Sequence, residues 1–160
     1  KVNTLAMDSA EGLEKYGDAV LQLSRDTGKS TGELTDALYD AISAGVDYSE
    51  SIDYMNQVNK LAVGGFTDIS SASGLMTQIM NIYGKSVSDV TDVSDKLFLV
   101  QKNGVTTIAQ LATSMGDALT IGANYNVSLE QILAAYASLT KQGRSADIAQ
   151  TQLKSRMLDA

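Results

Sequence analysis

Apolar residues recur at three- and four-residue spacing along nearly the whole chain, and glycines interrupt the recurrence at regular intervals. Such spacing puts the apolar side chains on one face of a helix. A Gly followed by Ser, Thr or Asp reads as one helix stopping and the next starting. The first helix is predicted from about Ser9 to Arg25, with Leu13, Tyr16, Val20 and Leu23 inward and Gly28 closing it. Ser30 and Glu33 have capping-box spacing and open a second helix, which turns Leu34, Leu38, Ala41 and Ile42 inward and ends at Gly45. Asp47 to Glu50 starts a third, lined by Ile52, Met55, Val58 and Ala62 and broken by Gly64 and Gly65. Asp68 caps a fourth, with Ala72, Leu75, Met76, Ile79 and Tyr83 inward, and Gly84 ends it. A fifth stops at Asn103 and Gly104. Thr106 or Thr107 caps a sixth, which carries Ile108, Leu111, Met115 and Leu119 and ends near Gly122. Ser128 and Gln131 form another capping box before Leu129, Ile132, Leu133, Tyr136 and Leu139, with Gly143 at the end. Ser145 caps the eighth, where Ala146, Ala149, Leu153 and Met157 share one stripe.

The fifth helix, about residues 87–103, differs from the rest. It starts as an amphipathic helix with Val90, Val93 and Leu97 on one face, and then Leu97, Phe98, Leu99 and Val100 follow in a row. Four consecutive residues point in four directions around a helix, and a helix apolar all round is buried on several sides. A short apolar run is also compatible with a buried strand; the D-x-x-D-x-x-D spacing before it and the helical patterns around it favour helix. The expectation is an all-α fold of about eight helices, with this fifth one as its central post. Two triplets flank it. Leu34, Asp40, Ala41, Gly45 and Tyr48 recur as Leu111, Asp117, Ala118, Gly122 and Tyr125, and Ser49, Gly64 and Ile69 recur as Ser128, Gly143 and Ile148. Residues 31–84 and 107–160 are therefore expected to be a pseudo-repeat in which neither triplet buries its face alone. Gly74 and Gly116 lie within helical patterns, and close helix–helix packing is their expected reason.

Composition adds constraints. The chain has 160 residues, 44% hydrophobic and 19% charged. This suits a single globular domain, able to bury about 70% of the surface of its unfolded chain. It starts with Lys1, which suggests a fragment of a longer chain. No apolar run approaches a membrane span and no signal peptide is visible. Cys, His, Trp and Pro are absent. That removes disulfide and thiolate chemistry and the commonest metal ligand and general base, while the lack of Pro suits a helical chain. A net charge of −7 and a pI near 4.4 argue against a phosphate-binding surface, and no sequence-specific nucleic-acid binding is expected. Lys141, Arg144, Lys154 and Arg156 are the densest positive charges.

Candidate chemistry is thin. Asp89, Asp92 and Asp95 share a helix face and could in principle offer oxygen ligands to a hard cation. Their spacing is not that of an EF-hand loop, and acidic residues in a first turn are favoured by the helix dipole alone. Ser and Thr have no His to activate them and no G-x-S-x-G elbow; Ser30, Ser88, Ser128 and Ser145 are better read as helix starts. Gly64-Gly65 lacks the G-K-[ST] continuation of a phosphate loop. The seven tyrosines are expected in core and boundary packing. No catalytic, cofactor-binding or metal-ligating residues are assigned, no cofactor is expected, and the chain reads as a binding or structural module rather than an enzyme.

Five segments in order carry a resemblance: L-A-V-G-G-F-T-D-I (Leu61 to Ile69), N-I-Y-G (Asn81 to Gly84), V-S-D-K-L-F (Val93 to Phe98), G-V-T-T-I-A-Q-L-A (Gly104 to Ala112) and V-S-L-E-Q-I-L-A-A-Y-A-S-L-T-K-Q-G (Val127 to Gly143), with A-L-Y-D-A-I-S-A-G-V (Ala37 to Val46) upstream. Together, over about residues 30–160, they resemble the core region of tail tape-measure proteins from long-tailed phages and prophages of Gram-positive bacteria. The resemblance implies a virion structural protein of the tail, active in tail assembly and tail-length determination and associated with genome ejection. It implies the tail tube protein, tail assembly chaperones and tail tip proteins as partners, with self-association left open, and residence in the host cytoplasm during assembly. Two other readings stand beside it: a generic helical interaction domain of a bacterial protein, and a cell-wall-degrading helical muramidase. The muramidase would need a catalytic Glu in a cleft, whereas Glu11, Glu14, Glu33, Glu50 and Glu130 mostly sit in first turns.

Overall fold

The computed structural model describes residues 10–159. Nine α-helices fill them: α1 (Ala10–Thr27), α2 (Thr31–Ser43), α3 (Ser51–Gly64), α4 (Ile69–Tyr83), α5 (Val90–Asn103), α6 (Ile108–Ser114), α7 (Gly116–Asn124), α8 (Leu129–Lys141) and α9 (Ala146–Leu158). Short 3₁₀ turns, Tyr48–Glu50 and Val87–Asp89, lead into α3 and α5. No strand occurs among the described residues, so the expected all-α class holds. Ser9, expected to open the first helix, lies outside them.

Most helices start at the caps that the sequence predicts. Ser30 accepts from the Glu33 amide while Glu33 reaches back to Ser30, and Thr107/Gln110 and Ser128/Gln131 make the same reciprocal pair. Asp68 and Ser145 cap α4 and α9. Each such cap satisfies orphan amides and contributes about 1 kcal/mol. Together they fix where the chain reverses.

Four helical hairpins result, stacked side by side in two layers. In the first layer α1, α3, α5 and α8 are neighbours in that order. They run parallel: Thr91 Oγ1 of α5 donates to Gln57 of α3 at 2.9 Å, and one end further along, the Phe98 ring lies on Gly64. Lys96 of α5 pairs with Glu130 of α8 at 2.6 Å, and Gly104 lies on Thr140. Tyr16 of α1 stacks on Tyr48 at 4.4 Å and shares a 2.8 Å hydrogen bond with Ser51. The second layer, α2, α4, α6–α7 and α9, runs the other way. Its neighbours are tied by Asn81 donating to the Ala44 carbonyl at 2.8 Å, by Gln78 against Gly116 and by Lys154 with Asp117 at 2.6 Å. The core lies between the layers: Leu34, Leu38, Tyr54, Val58, Ile69, Met76, Leu97, Leu111, Leu119 and Tyr136 are among its fully buried members. Each buried side chain of this size contributes about 1.5–3 kcal/mol.

The helix over residues 87–103 is not the most enclosed one. Its α-helical part begins at Val90, directly after the 3₁₀ turn Val87–Asp89, and α5 has neighbours on three sides: α3, α8 and α6. Val90, Val93, Leu97 and Val100 face them and are buried. The fourth side is the outer surface, and Leu99 is 53% exposed there. An apolar run samples every direction, but burial requires a partner in each. The enclosed helix is α4, flanked by α2 and α6–α7 and backed by α3. More than half of its fifteen residues are buried.

One helix divides, and two glycine readings change. The expected sixth helix divides into α6 and α7 at Met115: Gly116 leaves room for the Gln78 amide, which a Cβ there would meet at 2.7 Å, and the Ser114 hydroxyl donates to the Gln110 carbonyl. Close packing thus explains Gly116, but not Gly74, whose Cβ would meet nothing within 4 Å. Gly122 is no helix stop. It lies inside α7 under the Ile132 side chain, and the left-handed residue after α7 is Asn126 (φ 56°), whereas Gly45 (φ 108°) does end α2.

Two outcomes follow for stability. Leu97→Ala is expected to cost about 2–5 kcal/mol and Leu99→Ala less than about 0.5 kcal/mol; equal losses in urea titrations would contradict the three-sided placement of α5. Phe66 ends α3 with φ 52° while 89% exposed, a backbone region that costs a bulky L-residue about 1–2 kcal/mol. Phe66→Asn, which tolerates that region, is expected to raise the unfolding midpoint; a clear fall would show that the ring contributes packing.

Candidate interaction surfaces

Most of the polar side chains that could offer chemistry hold the fold instead. Asp89 accepts the Ser86 amide at 2.8 Å, and the two Ser86 hydrogen bonds keep its carboxyl below the usual range. Asp92 is bonded to Lys96 at 2.5 Å. Asp95 is exposed. No group of three potential ligand side chains converges among the described residues. Ser30, Ser128 and Ser145 are helix caps, and Ser88 shares a hydrogen bond with Ser86. Glu33 completes a capping box. Tyr54 and Tyr136 are fully buried; Tyr54 donates to the Ser73 carbonyl at 3.0 Å, Tyr136 meets Ser114 at 3.2 Å, and burial pushes the Tyr54 hydroxyl upward. Tyr125 departs from the expected packing role at 52% exposure.

What the arrangement offers is shaped apolar surface. One groove of about 200 Å³ runs along the outer side of α5 and α8, lined by Leu99, Val100, Leu133, Ala134 and Ala137, with Lys96 and Glu130 across it. A second, about 500 Å³, opens at the α1–α2 end of the stack between Leu13, Tyr16, Val20, Leu21 and Leu38, with Glu14 and Asp18 on it. A third, about 560 Å³, opens at the α8–α9 end between Tyr125, Val127, Ile132, Leu153 and Met157, with Arg156 on it. Sequence periodicity marked Tyr16, Val20, Ile132, Leu153 and Met157 as inward, and they belong to the core or pack against it; Leu13, marked with them, is only half-buried at the groove. Periodicity could not show that, among the described residues, the first and last hairpins have a neighbour on one side only, which leaves these grooves open.

Electrostatics concentrates at the α5–α8 contact. Lys96 lies 2.5 Å from Asp92 and 2.6 Å from Glu130, and those two bonds raise its pKa, Asp92 first. The same lysine, through its hydrogen bond, is the main reason the Glu130 carboxyl is held down to about 2 against 4.5 when free. A lowered carboxyl stabilises the fold fully above the unfolded value and loses that contribution as pH falls through the folded one. Stability is therefore expected to drop between about pH 4.5 and 2 by a modest amount, because Glu130 is half exposed and solvent screens the pair. Glu130→Gln should flatten that part of the stability–pH curve relative to the parent; an unchanged slope would show that the pair does not form in solution.

Comparison with known proteins completes the picture. A family described as phage-related minor tail protein matches residues 17–160. A probable tape measure protein of Clostridium phage phiCD119 is 30% identical over 163 residues, an alignment covering 99% of this chain but only 17% of that protein. No solved structure matches. With nearly its whole length matched by the family and the same region aligned to a phage relative, this all-helical chain belongs to the phage-related minor tail proteins.

Proposed function

We propose that this chain is a structural module of a tail tape measure protein, acting in tail assembly and tail-length determination and associated with genome ejection. The observation that carries the reading is the 30% identity over 99% of the chain to a probable tape measure protein. The stacked hairpins suit it: they spend their polar groups on caps and bridges and leave apolar grooves for protein contacts. On this reading the module is not an enzyme and has no catalytic, cofactor or metal residues. Its partners are the tail tube protein, the assembly chaperones and the tail tip, and it resides in the virion tail after assembly in the host cytoplasm. The whole chain acts as one domain. Residues 31–84 and 107–160 are related halves, a view supported by the matching capping boxes at Ser30 and Thr107 and by the buried pairs Leu34/Leu111 and Ala41/Ala118. The Gly45/Gly122 pair does not fit it.

A tape measures by length, and folding shortens it. As one helix, 160 residues would extend about 240 Å at 1.5 Å per residue, while a compact domain of this size has a radius of gyration near 15 Å. The folded module thus acts as a compact body on the tape. In-frame removal of the coding segment for residues 10–159 from the full-length gene tests the role. Loss of tails, or tails of altered length by electron microscopy, is expected; normal numbers at parental length would refute it.

A further inference from the structure

A stack of hairpins has two ends, and in this one both are apolar. Within the stack each hairpin covers the next: α5 lies beside α3, and α6–α7 beside α4. Nothing lies beside the outer flanks of α1–α2 and α8–α9 among the described residues. Terminal units of stacked helical arrays usually carry a polar outer face, because an apolar one invites another unit. Here the α1–α2 flank leaves Tyr16 and Leu21 partly open at the mouth of a groove of about 500 Å³, and the α8–α9 flank leaves Tyr125, Val127 and Met157 partly open at one of about 560 Å³. The ends also differ in charge. From Ala10 to Ser43 the chain carries seven acidic and three basic side chains; from Leu129 to Asp159 it carries three acidic and four basic. Glu14 and Asp18 sit on the first groove and Arg156 on the second.

We propose that the α8–α9 end of one copy stacks on the α1–α2 end of a second copy, extending both layers head to tail. The contact repeats the side-by-side packing that α3–α5 and α4–α6 already make inside the chain, so it continues an existing interface. Opposite charge at the two ends selects this pairing over end-to-like-end dimers, where Glu14 and Asp18 would face their own kind. A contact between two different surfaces does not close on itself, so copies add in a row. This inference goes beyond the tail-protein reading and does not depend on it.

Sedimentation velocity on the purified protein tests it. The weight-average mass is expected to rise with concentration past that of a dimer, without a plateau, and to fall on adding salt, which screens the charged rim. Asp18→Arg and Arg156→Glu, both at exposed positions, should each weaken association about tenfold. Circular dichroism checks that both variants remain folded. The two variants mixed, and the Asp18→Arg/Arg156→Glu double variant, should recover association, since each restores an acidic end facing a basic one. A plateau at the dimer, failure of the double variant to recover, or a protein that stays monomeric with a Kd weaker than about 1 mM would overturn the proposal. So would a monomer that instead binds anionic phospholipid vesicles through these ends.

Discussion

An amphipathic hairpin has two flanks as well as an inner face, and the inner face alone cannot hold it. The burial of α4 meets that constraint for the whole chain. Ile69, Ala72, Met76 and Ile79 face α3, α2 and the α6–α7 pair from one helix, so the second hairpin joins the first to the third. Without it the caps would still define helices, but isolated helices of 13–15 residues are marginal in water. Stability here comes from side-by-side burial, and α4 has the most sides.

The other close contacts depend on that arrangement and on where glycine permits it. Gly64 lets the Phe98 ring approach α3, Gly65 lies against Ile108, and Gly104 lies against Thr140. All three sit at the same end of the stack, where the parallel helices of the first layer finish. Two of these contacts join neighbouring helices of the first layer and the Gly65–Ile108 contact joins the layers; in each a glycine backbone is met directly, so little slack remains. Polar groups finish the joints: Gln57 with Thr91, Asn81 with Ala44, and Lys96 between Asp92 and Glu130. These pairs are exposed or half exposed, and their larger effect is to fix the register of neighbouring helices.

Such a fold leads to function through surface. Several of its titratable groups are capping, bridging or buried, as at Glu33, Glu130 and Tyr54. Apolar grooves lie at the two ends of the described stack and along α5 and α8. A tail protein must hold a defined shape while meeting other protein, and a stack of hairpins with open flanks has that form.

Much of the local structure was legible in the residues themselves. Capping boxes at Ser30, Thr107 and Ser128, and the left-handed stops at Gly28, Gly45, Gly84 and Gly143, are short-range events that a few neighbouring side chains decide. The inward stripes were legible for the same reason, since helical periodicity is local. The family resemblance over about residues 30–160 also came from the chain itself. Which helix is most enclosed was not legible: Leu97 and Leu99 are alike in chemistry, and only the presence of α3, α8 and α6 on three sides buries one and exposes the other. The same holds for Gly122, whose role was decided by Ile132 packing on it, and for Gly116, where Gln78 from a distant helix occupies the place of a side chain. The grooves at the two ends have the same origin. Leu153 and Val20 are correctly inward, yet a one-dimensional pattern does not say which hairpin lacks a neighbour; tertiary stacking order alone decides that.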